Sequence, residues 1–385
     1  ICTLISLYLY EKSTLANVAI TSVFYGEEEV ISSTIILILF VLMSISTFFM
    51  KGIMVVSEEG RKLKNSLVAF LVYVYILSVS ISLFVPFQSR ILYFAIGLPL
   101  LSFMVVQRFL RVHRAINILY GIVVLFFLLS YQYLINYNIV HAAASDTSSN
   151  NSSYFLLYLL PFLLCIEKKY LKWMLIFIVV IAVLSSFKRG GTIAVFASLL
   201  VYYYVNNIKL TGGSSKILYL LLLLFTVFIV VSFLNSTDNL IIEHLSERFI
   251  NIKNDNGSGR SETISEALLQ FTNSDVISML FGHGWNMVEQ TLKSGISAHN
   301  DFIECLYDFG IIGFILLLRV LFAAYKYLKS LIANRSIYAA PFAASCTIFM
   351  LNTMVSHILI YPYYLLLFMA FISFVIYSSS NTEHV

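Results

Sequence analysis

The sequence predicts an all-α polytopic membrane protein, with about twelve transmembrane helices and one large extracytoplasmic loop that contains short helices. Three observations carry this expectation. Of 385 residues, 59% are hydrophobic and only 11% charged, against about 25% charged in ordinary soluble domains. Apolar runs near the ~20-residue length of a spanning helix recur along the whole chain, separated by short polar breaks. Runs such as Ile217 to Leu234 are apolar at nearly every position, whereas the strands of an outer-membrane barrel alternate apolar and polar residues. A soluble domain and a barrel are both excluded.

In chain order the spans are expected at 1–10 (truncated at its start), 31–50, 66–87, 91–107, 115–135, 153–166, 173–187, 191–207, 217–234, 302–324, 337–355 and 358–377. The chain opens inside an apolar run without an initiator Met, so either residues precede it or the start was processed; a cleaved signal peptide is not required. Three regions follow. Residues 1–234 hold helices one to nine, with a short external turn at 187–190. Residues 235–301 form an extracytoplasmic catalytic loop, and residues 302–385 hold the last three helices and a cytoplasmic tail.

The distribution of basic residues sets the orientation, because cytoplasmic loops carry the excess of Lys and Arg. Alternate connections hold Lys51, Arg61, Lys62 and Lys64; Arg108, Arg111 and Arg114; Lys168, Lys169 and Lys172; Lys209 and Lys216; and Arg319, Lys326, Lys329 and Arg335. These sixteen of the 24 basic residues are expected to face the cytoplasm. The other eight, among them Arg90, Lys188, Arg189, Arg248 and Arg260, fall in the opposite set. Most connections are too short for chemistry; the segment from Asn235 to His299 is not. Cys2, Cys165, Cys305 and Cys346 each stand singly in an apolar run, with no paired spacing of a zinc site, and read as packing residues.

Within the long loop, Asp238 to Ile250 places Leu240, Ile241, Leu245 and Phe249 at helical spacing, as in a helix lying on a bilayer surface. A second helix is expected from about Glu262 to Phe271, with Ile264, Ala267, Leu268 and Phe271 on one face and Thr263 and Glu266 at capping-box spacing. The glycine-rich stretch from Asn256 to Arg260 leads into it. A glycine turn before a helix start leaves backbone amides unpaired beside Arg260, an arrangement that holds phosphate oxygens; the plain alternative is a polar turn with a solvated arginine.

Arg189 sits in a turn between two apolar spans that is too tight to lift its charge far into water, and charge at such depth is commonly functional. The competing reading is an interfacial anchor that snorkels to the headgroups. His299 lies where the loop re-enters the membrane, with Asn300 or Asp301 placed to cap the next helix. Glu304 and Asp308 follow, one turn apart on a single face. The plain reading makes this a capping sequence whose carboxylates pair with arginines. A chemical role is preferred for His299, since imidazole exchanges a proton near neutral pH; His283, between Gly282 and Gly284, reads as a simple turn residue.

Taken together, Lys188-Arg-Gly-Gly191, the long loop with Arg248 and Arg260, Phe281-Gly-His-Gly284, and Ala298-His-Asn-Asp-Phe-Ile-Glu304 followed by Asp308-Phe-Gly-Ile-Ile-Gly313 resemble one family. It is the O-antigen polymerase and ligase superfamily, and the similarity is specific from about Ser185 to Gly313. The resemblance implies a bundle like that of the GT-C glycosyltransferases. It implies a metal-independent, cofactor-free membrane glycosyltransferase that takes a polyprenyl-diphosphate-linked glycan as donor, on the outer face of a bacterial plasma membrane. It also implies that Arg189 and either Arg248 or Arg260 bind the diphosphate, with His299 near the reaction centre. Glu304 then fixes the imidazole or contacts sugar hydroxyls, and Lys188, Asn300, Asp301 and Arg90 are secondary candidates.

A polymerase joining repeat units is preferred to a ligase moving finished glycan, because the match shows no acceptor-specific feature. A chain-length regulator and a flippase are the expected protein partners; nucleic acid is not. Two readings from other classes compete. A lipid-linked oligosaccharide flippase would place ionisable residues along a mid-membrane cavity and show internal repeats, whereas here the notable charges gather at the outer face and no repeat is visible. An assembly protein without activity would use the long loop as a binding surface.

Overall fold

The structure, a computed structural model, describes residues 56–82, 97–142, 153–186, 189–210, 260–293, 295, 297–356, 358–359 and 361–381. The expected spans at 1–10, 31–50 and 217–234, the surface helix at 238–250, and Arg90, Lys188 and Arg248 lie outside the described residues. Every regular element among the described residues is helical.

Nine of these helices form the bundle: α1 (Glu58–Ser82), α2 (Leu98–Val112), α3 (Ala115–Ala142), α4 (Ser153–Leu164), α5 (Lys169–Leu184), α6 (Arg189–Tyr204), α10 (Asp301–Ala333), α11 (Ala339–Val355) and α12 (Pro362–Asn381). Between α6 and α10 come three short helices, α7 (Arg260–Thr272), α8 (Val276–Phe281) and α9 (Met287–Thr291). Three segments are long and apolar enough to cross a membrane: Ala115–Ile135, Asp301–Ala333 and Tyr363–Ser380. Leu98–Leu110, Ser153–Leu164 and Ala339–Val355 are apolar but shorter.

The interior of the bundle is built on α4 and α12. All twelve residues of α4 are buried, as its unbroken apolar sequence dictates: a helix apolar on every side needs neighbours on every side. α12 packs on α2, α11 on α6, and α10 on α1. Polar side chains tie the apolar contacts together. Ser102 donates to the Leu366 carbonyl at 3.0 Å and Ser373 to the Phe103 carbonyl at 2.7 Å, joining α2 to α12 from both sides.

α10 has 33 residues but is not one straight rod, because Gly310 leaves helical geometry at φ 67°, ψ −172°. The piece after the break, 311–333, is about 34 Å long at 1.5 Å per residue, enough to cross a ~30 Å hydrocarbon core by itself. The piece before it, 301–309, is therefore a separate short helix at the outer end of the span rather than part of it. α1 runs antiparallel along this element, with Gly60 beside the Tyr327 ring and Tyr73 beside Gly313.

The expected helix in the long loop is present and longer than its sequence pattern indicated. It starts at Arg260, so Thr263 lies in its first turn instead of ahead of it, and Leu268, expected on the buried face, is 38% exposed while Ala267 and Phe271 are buried.

Candidate active site

The site is built outward from the start of α10. Asn300 is the N-cap: its extended backbone and side-chain oxygen accept the N–H groups of Phe302 and Ile303 at 3.1 and 3.3 Å. His299, just before the cap, is half-buried and left-handed at φ 52°, uncommon for a residue with a side chain. Its main-chain N–H donates to Glu304 Oε1 at 3.1 Å. Glu304 thus reaches back from the first turn and fixes the backbone that presents the imidazole.

Asp301, Glu304 and Asp308 are all fully buried, and their spacing of three and four residues sets them on one face of the short helix. Buried carboxylates require donors. Asp301 Oδ2 takes the N–H groups of Ile358 at 2.8 Å and Leu359 at 3.2 Å, in the connection between α11 and α12. Asp308 takes those of Asn286 at 2.7 Å, Met287 at 3.0 Å and Val288 at 3.3 Å, and so caps α9 from another helix. The sequence suggested arginines as partners for the carboxylates; these bonds come instead from backbone amides.

The break at Gly310 holds the loop against this helix. Gly282 has φ 84°, and a Cβ there would overlap the Asp308 carbonyl, while one on Gly310 would overlap the Leu280 carbonyl. Only glycine permits this approach and these dihedrals. The main-chain N–H groups of His283 and Gly284 donate to the carbonyls of Tyr307 and Asp308 at 3.1 and 2.8 Å. Tyr73, from α1, donates to the Phe309 carbonyl at 2.9 Å and lies 3.3 Å from that of Phe281.

His283 is more than a turn residue, although its role here is structural. Its ring stacks on Tyr307 with centroids 4.3 Å apart, and Nε2 lies 3.0 Å from Ser274 Oγ. The Tyr307 hydroxyl donates to Gln270 of α7 at 2.9 Å and lies 2.9 Å from Thr291 Oγ1 of α9. Around it Ala267, Phe271, Val288, Leu292 and Ala298 form a small apolar core of the loop's own. α8 is capped by Asp275, whose carboxyl accepts from Ser278 Oγ at 2.7 Å and from the N–H groups of Ile277 and Ser278. Those bonds, the Ser278 hydroxyl first, hold its pKa below the usual carboxylate value.

The second half of the site comes from α6. Arg189 is its first residue, so the helix start with its unpaired amides lies at that position. A Cβ on Gly190 would meet Val355, the last residue of α11, at 3.0 Å and the Tyr154 hydroxyl at 3.6 Å. Val355 is three residues from Ile358, which Asp301 holds, and three residues span at most about 10 Å. The helix starts carrying Arg189 and His299 therefore meet on one short connection. Beside it lies a tyrosine cluster: Tyr364 is 5.9 Å from Tyr154, 5.2 Å from Tyr158 and 5.8 Å from Tyr361, centroid to centroid.

Arg260 is likewise the first residue of its helix, α7. The side chains of Arg189 and Arg260 lie outside the description, as do Arg248, Lys188 and Arg90 entirely. Among the described residues no group of three or more His, Cys, Asp or Glu side chains is arranged to hold a metal ion. Sequence reasoning passed over Tyr73, Tyr307 and the tyrosine cluster. The legible signal for Tyr307 was its place between Glu304 and the Asp308-Phe-Gly310 break, a polar residue where the helix turns to a new partner.

These features define a helical membrane protein with a polar site at one end of its bundle, assembled from two helix starts and a folded loop. Residues 174–318 match the family described as O-antigen ligase. That segment carries a domain of the O-antigen polymerase and ligase superfamily, whose members are membrane glycosyltransferase-like enzymes. It runs from α5, ahead of the Arg189 turn, into α10 beyond Gly313, and so contains both halves of the site. No curated protein shows a significant match to the chain.

Proposed function

We propose that this chain polymerises polyprenyl-diphosphate-linked oligosaccharide repeat units into a surface polysaccharide, an O-antigen, capsule or exopolysaccharide, on the outer face of a bacterial plasma membrane. The observation that carries the reading is the meeting of the Arg189 and His299 helix starts on the 355–361 connection. In the step itself, an acceptor hydroxyl oxygen bonds to the anomeric carbon of the donor sugar. The bond from that carbon to the diphosphate oxygen breaks, and the lipid diphosphate leaves with the electron pair. Arg189, with Arg248 or Arg260, stabilises the charge that builds on the phosphate oxygens; fixed guanidinium groups in a site of low dielectric suit that task. Lys188 and Arg90 add positive charge at the same face.

His299 accepts or orients the proton of the attacking hydroxyl. Glu304 acts through the backbone of His299, while Asn300 and Asp301 hold the helix start and the connection beneath it. About twelve helices in an arrangement like that of the GT-C enzymes, with the loop of residues 235–301 outside, complete the reading. A chain-length regulator and a flippase are its protein partners. The family description itself favours a second reading, transfer of finished glycan to a lipid or protein acceptor.

Incubation of the purified protein with polyprenyl-diphosphate repeat units tests both. A ladder of longer lipid-linked chains supports polymerisation. Transfer only to an added acceptor supports the ligase, and absence of any transfer contradicts the shared chemistry.

A further inference from the structure

α8 turns its apolar side outward. Val276 and Ile277 are each 71% exposed, Leu280 39% and Phe281 44%. At 100° per residue these four occupy an arc of about 140°, whereas Met279, on the other side, packs into the loop's small core. Water is a poor neighbour for such a face.

The position of the helix indicates what the neighbour is. Residues 311–333 of α10 are long enough to cross the hydrocarbon core alone, so Gly310 stands at one boundary of that core, with Lys326, Lys329 and Arg335 toward the other. α8 is fastened to that boundary at its C-terminal end. The Leu280 and Gly282 backbones abut Gly310, and Tyr73 of α1 bridges the carbonyls of Phe281 and Phe309. Its N-terminal end carries Asn273, Ser274 and the exposed cap Asp275.

We infer that the face made by Val276, Ile277, Leu280 and Phe281 is inserted into the boundary between headgroups and acyl chains, in the leaflet at the Gly310 end of α10. α8 is then a membrane-surface anchor for the folded loop, continuous with the lipid-facing sides of α1 and α10. Such anchors lie about 5–10 Å into the boundary region. Under the proposed function, on which this consequence alone rests, the anchor holds His299 at the depth of a lipid-linked diphosphate whose tail stays in the bilayer.

The test reads depth and not activity, so its failure is separable from failure of the functional reading. The chain has two tryptophans, Trp173 and Trp285. With both replaced by Phe, Ile277→Trp is reconstituted into phosphatidylcholine vesicles with bromines at defined acyl positions. The expected result is strong quenching, greatest for bromines in the upper half of the acyl chain, with little quenching by aqueous iodide. Leu280→Trp, on the same face, reports independently where the first variant fails to elute as folded protein. Iodide quenching without bromolipid quenching overturns the inference, since the face then meets water. Protection from both quenchers also overturns it, because the face is then covered by protein, either another segment of this chain or a second copy.

Discussion

Asp308→Ala removes one carboxyl and strands three main-chain donors. Asn286, Met287 and Val288 each give that carboxyl their N–H, at 2.7, 3.0 and 3.3 Å, and Val288 is fully buried. A buried donor left unsatisfied costs about 1–3 kcal/mol. Water reaches part of the freed helix start, and the carboxylate's own desolvation is no longer borne, so we expect a net loss near 3 kcal/mol. That is a factor of about a hundred in the local opening equilibrium. Hydrogen–deuterium exchange on the purified protein should show peptides covering 285–292 exchanging about a hundredfold faster, with α11 and α12 unchanged. Asp308→Asn keeps one acceptor oxygen and should recover part of the protection. Unchanged exchange at 286–288 in Asp308→Ala would refute the cross-helix cap.

Four further outcomes follow from the same geometry. Gly310→Ala forces a side chain into a backbone region reserved for glycine and against the Leu280 carbonyl; it should cost about 2–6 kcal/mol in unfolding measurements. Gly295→Ala, at φ 60° with nothing within 4 Å, should cost about 1–2 kcal/mol. The Asp275 cap stabilises α8 fully above the unfolded carboxyl pKa near 4 and loses that contribution as pH falls through its lower folded value. Protection of residues 276–281 should accordingly drop in strong acid, and Asp275→Asn should remove that pH dependence. Arg189→Ala should slow chain extension roughly 100-fold, the scale of one lost preorganised donor; near-normal extension would end its diphosphate role. His299→Ala should insert and elute normally without extending glycan, and full activity across pH 6 to 8 would rule it out as the base.

Local chemistry was legible in the sequence wherever the partner lies close along the chain. Asn300 caps α10 because its bonds reach only two and three residues ahead, and the apolar runs of α3 and α12 announce themselves by composition. The expected helix after Arg260 was legible for the same reason. What could not be read depends on distant main chain. Asp301 binds amides at 358 and 359, and Asp308 binds amides more than twenty residues upstream. Because backbone N–H groups are the same at every residue, no pattern in the sequence marks them as partners. Arginines were the partners that sequence could suggest. The outward face of α8 escaped notice for a related reason, since apolar spacing reports a face but not whether protein or lipid covers it.

The central claim is that Arg189 and His299 serve one site although 110 positions separate them. A double-mutant cycle on glycan transfer tests it most directly, with Arg189→Ala, His299→Ala and both together assayed on polyprenyl-diphosphate repeat units. Groups that act as a unit are strongly non-additive, so the double variant should be little slower than the slower single one. Losses that simply multiply would place the two residues in independent roles and contradict the shared site.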